Sequence, residues 1–229
     1  MSADLNSQTT VESDNSAPKR GRPPKAKLDE NRIAHASLEL IDERGWAAFS
    51  MNALALKLGV RTPSLYHHIE GQADLIDLVR ALIVREIETS QLDELDWDEA
   101  IRSFGMSYYR AFVRHPNAIQ ILSVTSINDR DTFQMYEAFL AMLDREGWSG
   151  ERALEILVGL EHLALGSAYE ANASEAMLDA ERATQNDAPV LAKFLLERAA
   201  SAETVAEDTF VQLLDDFIEM FRLQRDRQQ

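Results

Sequence analysis

From Leu28 to the end of the chain, apolar residues return every three or four positions, and nowhere do they alternate in the two-residue rhythm of a half-buried strand. Ala, Leu, Glu and Arg dominate, so the chain reads as all-α. Gly and Pro punctuate the period. A first helix fits 29–44, with Asp29 as its cap, Ile33, Ala36, Leu40 and Ile41 on one face and Gly45 as its stop. A second follows Ser50 and closes at Gly59 after Leu58. A third starts at Thr62 as cap, with Pro63 in the first helical position, and ends near Ile69. A fourth fits 73–89. Beyond the acidic stretch 93–99, helices fit 98–114 (ended by Pro116), 118–126, 131–146 and 150–170, then 189–200 and 203–225 after a loose connection over 172–187.

Residues 1–18 are polar, with no apolar core, and are expected to be disordered rather than a secretory signal. The tract that follows, 19–27, holds five cations and no anion, and two prolines and a glycine bar it from being a helix. The net charge of −16 argues at first against nucleic acid, but its distribution reverses that. The first 80 residues carry 10 Lys and Arg against 11 Asp and Glu, while the remaining 149 carry 13 against 28. A basic tract can release counterions from DNA if the acidic part stays more than about 8–10 Å from the duplex.

Several classes are excluded or disfavoured by what the chain lacks. It has no cysteine, hence neither a disulfide framework nor a thiolate metal site, which suits a reducing cytoplasm. No apolar run is long enough to span a bilayer, so no membrane role is expected. His35 and Glu39 stand four apart on one helix, but two ligands do not make a metal site, and no His-Glu-x-x-His or clustered-glycine motif occurs. No catalytic residue, metal or cofactor is expected.

The most specific constellation is Ser50 to Ile69: a short helix, a tight turn containing Gly59, and a second short helix. This is helix-turn-helix spacing. Ser64, Tyr66, His67 and His68 are placed to reach phosphates or base edges, while Leu65 and Ile69 face inward. An ordinary helical hairpin fits the same pattern. The Leu-Ala-x-x-Leu-Gly-Val stretch of Leu54–Val60 and the Ser-Leu-Tyr-x-His pattern of Ser64–His68 resemble the DNA-binding head of the tetracycline-repressor (TetR) family. The resemblance implies that Thr62, Pro63, Ser64 and His67 approach bases, that Ser50, Tyr66 and His68 hold the backbone, and that Asn52 stands where relatives carry a base-reading residue; Arg61 joins this set. The chain departs from the family after the recognition helix, where Glu70, Gly71 and Gln72 replace the usual lysine and polar or basic residues. Glu70 would repel phosphate, a loss for which the basic arm can compensate.

Within that arm, Gly21-Arg22-Pro23 flanked by Lys19, Arg20, Lys25 and Lys27 resembles an AT-hook. Extended arginines fit the narrow A·T minor groove, where negative potential concentrates. A generic solvated linker remains the alternative.

The rest of the chain resembles the tetracycline-repressor branch more weakly, through Gly147-Trp148-Ser149, His162-Leu163-Ala164-Leu165-Gly166 and Glu170. The resemblance implies a subunit interface built from the last two long helices, carrying Leu157, Val205, Phe210, Leu213, Leu214, Phe217, Ile218 and Phe221; an intramolecular core would use the same stripe. It also places Phe104, Tyr108, Leu122, Phe139, His162 and Glu170 near an effector pocket, although aromatics at helical spacing equally make plain core. The positions that hold drug-bound magnesium in the tetracycline repressor read Glu88, Phe104 and Leu122, which predicts a different, more apolar effector.

The expected protein is a cytoplasmic, nucleoid-associated, ligand-responsive repressor. A disordered acidic and polar tail with a basic AT-hook-like arm (1–27) and a three-helix helix-turn-helix domain (28–72) lead into an antiparallel helical ligand-binding and dimerisation domain (73–229). Its expected partners are a pseudo-palindromic duplex operator with A·T-rich flanks, a small-molecule effector and a second copy of itself. An effector-free architectural DNA binder and a helical protein-interaction module are the alternatives.

Overall fold

The computed structural model describes residues 28–173, 178–200 and 206–226. These residues form eleven α-helices, joined by turns and two short 3₁₀ segments, and no strand. Helix α1 (Glu30–Arg44) begins at Asp29, whose side chain accepts from the Arg32 N–H at 2.8 Å, and stops at Gly45 with φ 73°. Helix α2 (Met51–Leu58) begins at Ser50, whose hydroxyl accepts from the Ala53 N–H, and ends at Gly59 in the left-handed region, φ 66° and ψ 33°, which a side chain would oppose.

Helix α3 (Thr62–Leu65) corrects two expectations. Thr62 is its first helical residue and Arg61 its N-cap, with no side-chain capping bond, because the Thr62 hydroxyl donates instead to Asn52 Oδ1 at 2.8 Å. The helix also stops at Leu65, after which turns bonded to the Leu65 carbonyl carry the chain to Ile69. Helix α4 (Gln72–Val84) ends before the expected Thr89, where the Glu86 and Ile87 N–H groups reach carbonyls only three residues back. After α5 (Trp97–Val113), Pro116 opens α6 (Pro116–Leu122), since its missing N–H costs nothing in the first turn. Helices α7 (Arg130–Arg145) and α8 (Gly150–Ala171) follow, and the connection expected to be loose contains α9 (Ala180–Gln185) before α10 (Pro189–Ala200) and α11 (Ala206–Asp226).

Packing divides the apolar side chains into two clusters. The smaller gathers Ile33, Ala36 and Leu40 of α1, Leu54, Ala55 and Leu58 of α2, then Leu65, Ile69 and Leu75. The larger centres on α5, α7, α8 and α11, around Phe104, Tyr109, Phe139, Leu160 and Phe210. Helices α1 and α4 serve both, giving Leu38, Ile41, Ile76, Val79 and Ile83 to the larger cluster. Gly105 brings α5 close to α8 and α11: a Cβ there would lie 3.0 Å from Leu160 and 3.1 Å from Leu214.

The inward face of α11 corrects the expected subunit interface. Leu157, Phe210, Leu214, Ile218 and Phe221 are buried within the single chain, and Phe210 stacks on Tyr109 with ring centroids 4.3 Å apart. Burial of such side chains contributes about 1.5–3 kcal/mol each, which explains why the stripe turns inward. Phe217 is half-buried, Leu213 is exposed, and Val205 lies outside the described residues.

Candidate nucleic-acid interface and effector pocket

The start of α2 and the segment 61–68 form one outward surface. Ser50, Asn52, Arg61, Pro63, Tyr66 and His67 are exposed on it, and Thr62, Ser64 and His68 are half-buried. Leu65 and Ile69 point inward and fix the segment on the smaller cluster. The Thr62–Asn52 hydrogen bond ties the beginnings of α2 and α3 together. The Ser50 hydroxyl spends its lone pairs on capping, yet its proton stays free to donate to a phosphate. Lys57 is engaged elsewhere, bridging to Glu39 at 3.0 Å and Glu43 at 2.9 Å on α1. Glu70 is exposed, and its backbone N–H donates to Asp74. The basic arm residues Lys19, Arg20, Arg22, Lys25 and Lys27 lie outside the described residues.

A cavity of about 640 Å³ opens in the helical body. Phe112, Ile119, Leu122 and Leu165 give it apolar walls, and His162, Gly166 and Tyr169 stand exposed at its edge. Its polar side is built from four helices. Arg80 of α4 is buried, and its guanidinium donates to the Leu122 carbonyl at 3.0 Å, the Thr125 carbonyl at 3.1 Å and the Thr125 hydroxyl at 2.9 Å. Its Nε lies 3.7 Å from Asp129, which also caps α7 through the Thr132 N–H. Opposite, Tyr108 of α5 and Tyr136 of α7 both donate to Glu161 Oε1 of α8, at 2.9 Å and 2.5 Å. Burial, reinforced by the Glu161 charge, pushes both phenols above the ordinary tyrosine range, so both remain protonated donors.

The cavity's α6 wall continues to the head. Asn117, near the start of α6, donates to the Asp42 carbonyl of α1 at 2.9 Å, and His115 Nδ1 lies 2.8 Å from the Asp42 carboxylate. Arg114 pairs with Glu86 beside them.

Residues 33–79 match the model of bacterial regulatory proteins, tetR family, and residues 89–218 match the tetracyclin repressor-like C-terminal domain. The chain belongs to the TetR family. Among its relatives, the tetracycline repressor protein class G of Vibrio anguillarum is 30% identical over 152 residues, covering 66% of this chain and 72% of that one. The transcriptional repressor DrrR1 of Streptomyces coeruleorubidus is 27% identical over 216 residues, covering 91% and 78%. In fold, the chain is similar to a single-substitution variant of TetR from Acinetobacter baumannii AYE, solved in complex with minocycline, at a TM-score of 0.64, 23% identity and coverage of 87% and 99%.

Within this TetR-family body, the structure sorts the side chains expected in the pocket. Tyr108, Leu122 and His162 line the cavity. Phe104 and Phe139 do not: both are fully buried, their rings 4.7 Å apart in the larger cluster. Glu170 is exposed on α8 and is not among the lining residues. Glu88 is also exposed, its carboxylate accepting from the Ser90 N–H at 2.8 Å. Sequence reasoning missed Arg80, Thr125, Tyr136 and Glu161. Arg80 did carry a signal, a lone cation on an apolar face between Ile76 and Ile83. Among the described residues no group of His, Asp or Glu is arranged to hold a metal, and no helix is long and apolar enough to cross a membrane.

Proposed function

We propose that this TetR-family regulator is a cytoplasmic, effector-released repressor. It reads a palindromic operator as a homodimer and has no catalytic role. The observation that carries this reading is the wall shared by cavity and head: Arg80 belongs to α4, a helix of the head's own cluster, and is fastened to the α6–α7 segment that lines the cavity. The repressor names of its relatives and the minocycline bound to a structural neighbour support it. Residues 28–72 then serve DNA binding and 73–229 effector binding and dimerisation, with the basic arm 19–27 along A·T-rich flanks.

In this reading Asn52, Thr62, Pro63, Ser64 and His67 approach base edges, while Ser50, Arg61, Tyr66 and His68 grip phosphates. An effector that presses on Leu122 and Thr125 displaces the carbonyls that hold Arg80, and α4 moves with it. The α6–α1 bonds at Asp42 pass the same displacement to the head. Such a ligand shifts the protein only to the extent that it binds one arrangement better than the other.

Selection of random duplex DNA by the full chain at physiological salt tests the regulator reading directly. Enrichment of one inverted repeat, read in successive major grooves, is the expected result. Binding without sequence enrichment would overturn it.

The outward faces of α8 and α11 supply the subunit contact in place of the buried stripe. Leu154, Val158, Leu213, Met220 and Leu223 are exposed there. Glutamates at both Val158 and Leu223 are expected to convert a dimer into a monomer in sedimentation velocity. Operator affinity should fall about 100-fold or more, because the two half-sites are then bound independently. A double variant that sediments unchanged would place the interface elsewhere.

A further inference from the structure

The cavity holds two kinds of charge, and only one has a counter-charge from the protein itself. The Arg80 guanidinium is surrounded by its own partners: two carbonyls, a hydroxyl and the Asp129 carboxylate. Its Nε makes no hydrogen bond, but it is buried and lies 3.7 Å from the Asp129 carboxylate, so it does not open toward an anion. Glu161 differs. It takes two neutral phenol donors on Oε1, and no Lys, Arg or His among the described residues lies within ion-pair distance of it. Arg80 and Asp129 cancel, so Glu161 leaves the polar side of the cavity with one net negative charge.

The groups around that carboxylate reinforce its preference. Tyr108 stacks against Phe112, with ring centroids 5.0 Å apart and planes 23° from parallel, and Tyr136 donates to the same carboxylate oxygen as Tyr108. Aromatic faces attract a desolvated cation and do nothing for an anion. Both tyrosine hydroxyls are already committed as donors to Glu161, so a ligand that reaches it must bring a donor of its own. Beyond this end the walls are apolar, which suits a hydrophobic body.

We propose that the effector is an organic cation: a lipophilic ring system carrying an amine that pairs with Glu161 beside Tyr108 and Tyr136. The assignment rests on the reading of this cavity as the effector site, and it names the charge that site selects.

A matched anthracene series tests it by fluorescence titration of the full-length protein: 9-(aminomethyl)anthracene as cation, 9-anthracenemethanol as neutral partner and anthracene-9-carboxylate as anion. The amine is expected to bind at least about tenfold more tightly than the other two. Glu161→Gln, which keeps an acceptor for both phenols, is expected to bring the amine down to the affinity of the alcohol, with a melting curve confirming the fold. An amine that does not bind, or that binds no better than the alcohol or the carboxylate to the unaltered protein, overturns the proposal without recourse to any variant. Repeating the titrations with the selected operator separates the two readings. If the carboxylate binds best and releases DNA, effector control stands and the charge assignment falls. If the amine binds through Glu161 and leaves DNA bound, the charge assignment stands and effector control through this cavity falls.

Discussion

Replacing Arg80 with Met should lower stability by about 3–5 kcal/mol, seen as a fall in Tm of roughly 6–15 °C at fixed protein concentration. Methionine retains much of the side chain's apolar stem but none of its donors. The Leu122 and Thr125 carbonyls lose their buried partner, and Asp129, almost as buried as Arg80, loses its counter-charge. Thr132 still donates to Asp129 through its N–H and hydroxyl, which favours the lower end of the range. Arg80→Lys separates charge from shape. It preserves the ion pair but lacks the planar fork that reaches two carbonyls at once, so an intermediate loss is expected. A melting curve unchanged by Arg80→Met would mean that the guanidinium does not fasten α4 to the segment after α6.

Phe104→Ala is expected to cost a similar 3–5 kcal/mol, measured by urea unfolding. The ring is fully buried, packed against Phe139 and 6.0 Å from Tyr108, so its removal empties a space the surrounding helices cannot fill without repacking. This outcome distinguishes core from pocket. A ring that met the effector would, when trimmed, weaken binding and leave the fold nearly as stable as before. Here the loss should fall on stability, and any change in binding should follow from the displaced Tyr108. A Phe104→Ala protein that unfolds at the normal urea concentration would return this position to the effector site.

How much of this could be read from the sequence depends on the range over which each feature is decided. Asp29 was legible as a cap, and Gly45 and Gly59 as stops, because a cap is settled within three residues by one side chain and one N–H. Thr62 misled for the opposite reason: its hydroxyl is claimed by Asn52, ten residues away, and no local rule reveals such a rival. Of the cavity's polar side only Tyr108 was read from the sequence, since Arg80, Tyr136 and Glu161 come from α4, α7 and α8 and meet only once the bundle is packed. Along α11 the helical period was visible, but not which neighbour it met. Period alone assigns a stripe to burial, and whether that burial is against α5 or against a second chain is a property of the fold.

The division of α1 and α4 between two clusters also governs how the chain comes apart. Leu75 anchors the head while Ile76, one residue on, anchors the body, and in α1 Leu40 is divided from Leu38 and Ile41 in the same way. Unravelling either helix therefore strips apolar contacts from both clusters together, and the head has no boundary along which it can melt alone. Denaturation becomes a single cooperative event. The amides of α1 and α4 exchange with solvent through that global opening rather than through a local one. A regulator made this way would tilt its head without loosening it, because unfolding either shared helix removes contacts from both clusters.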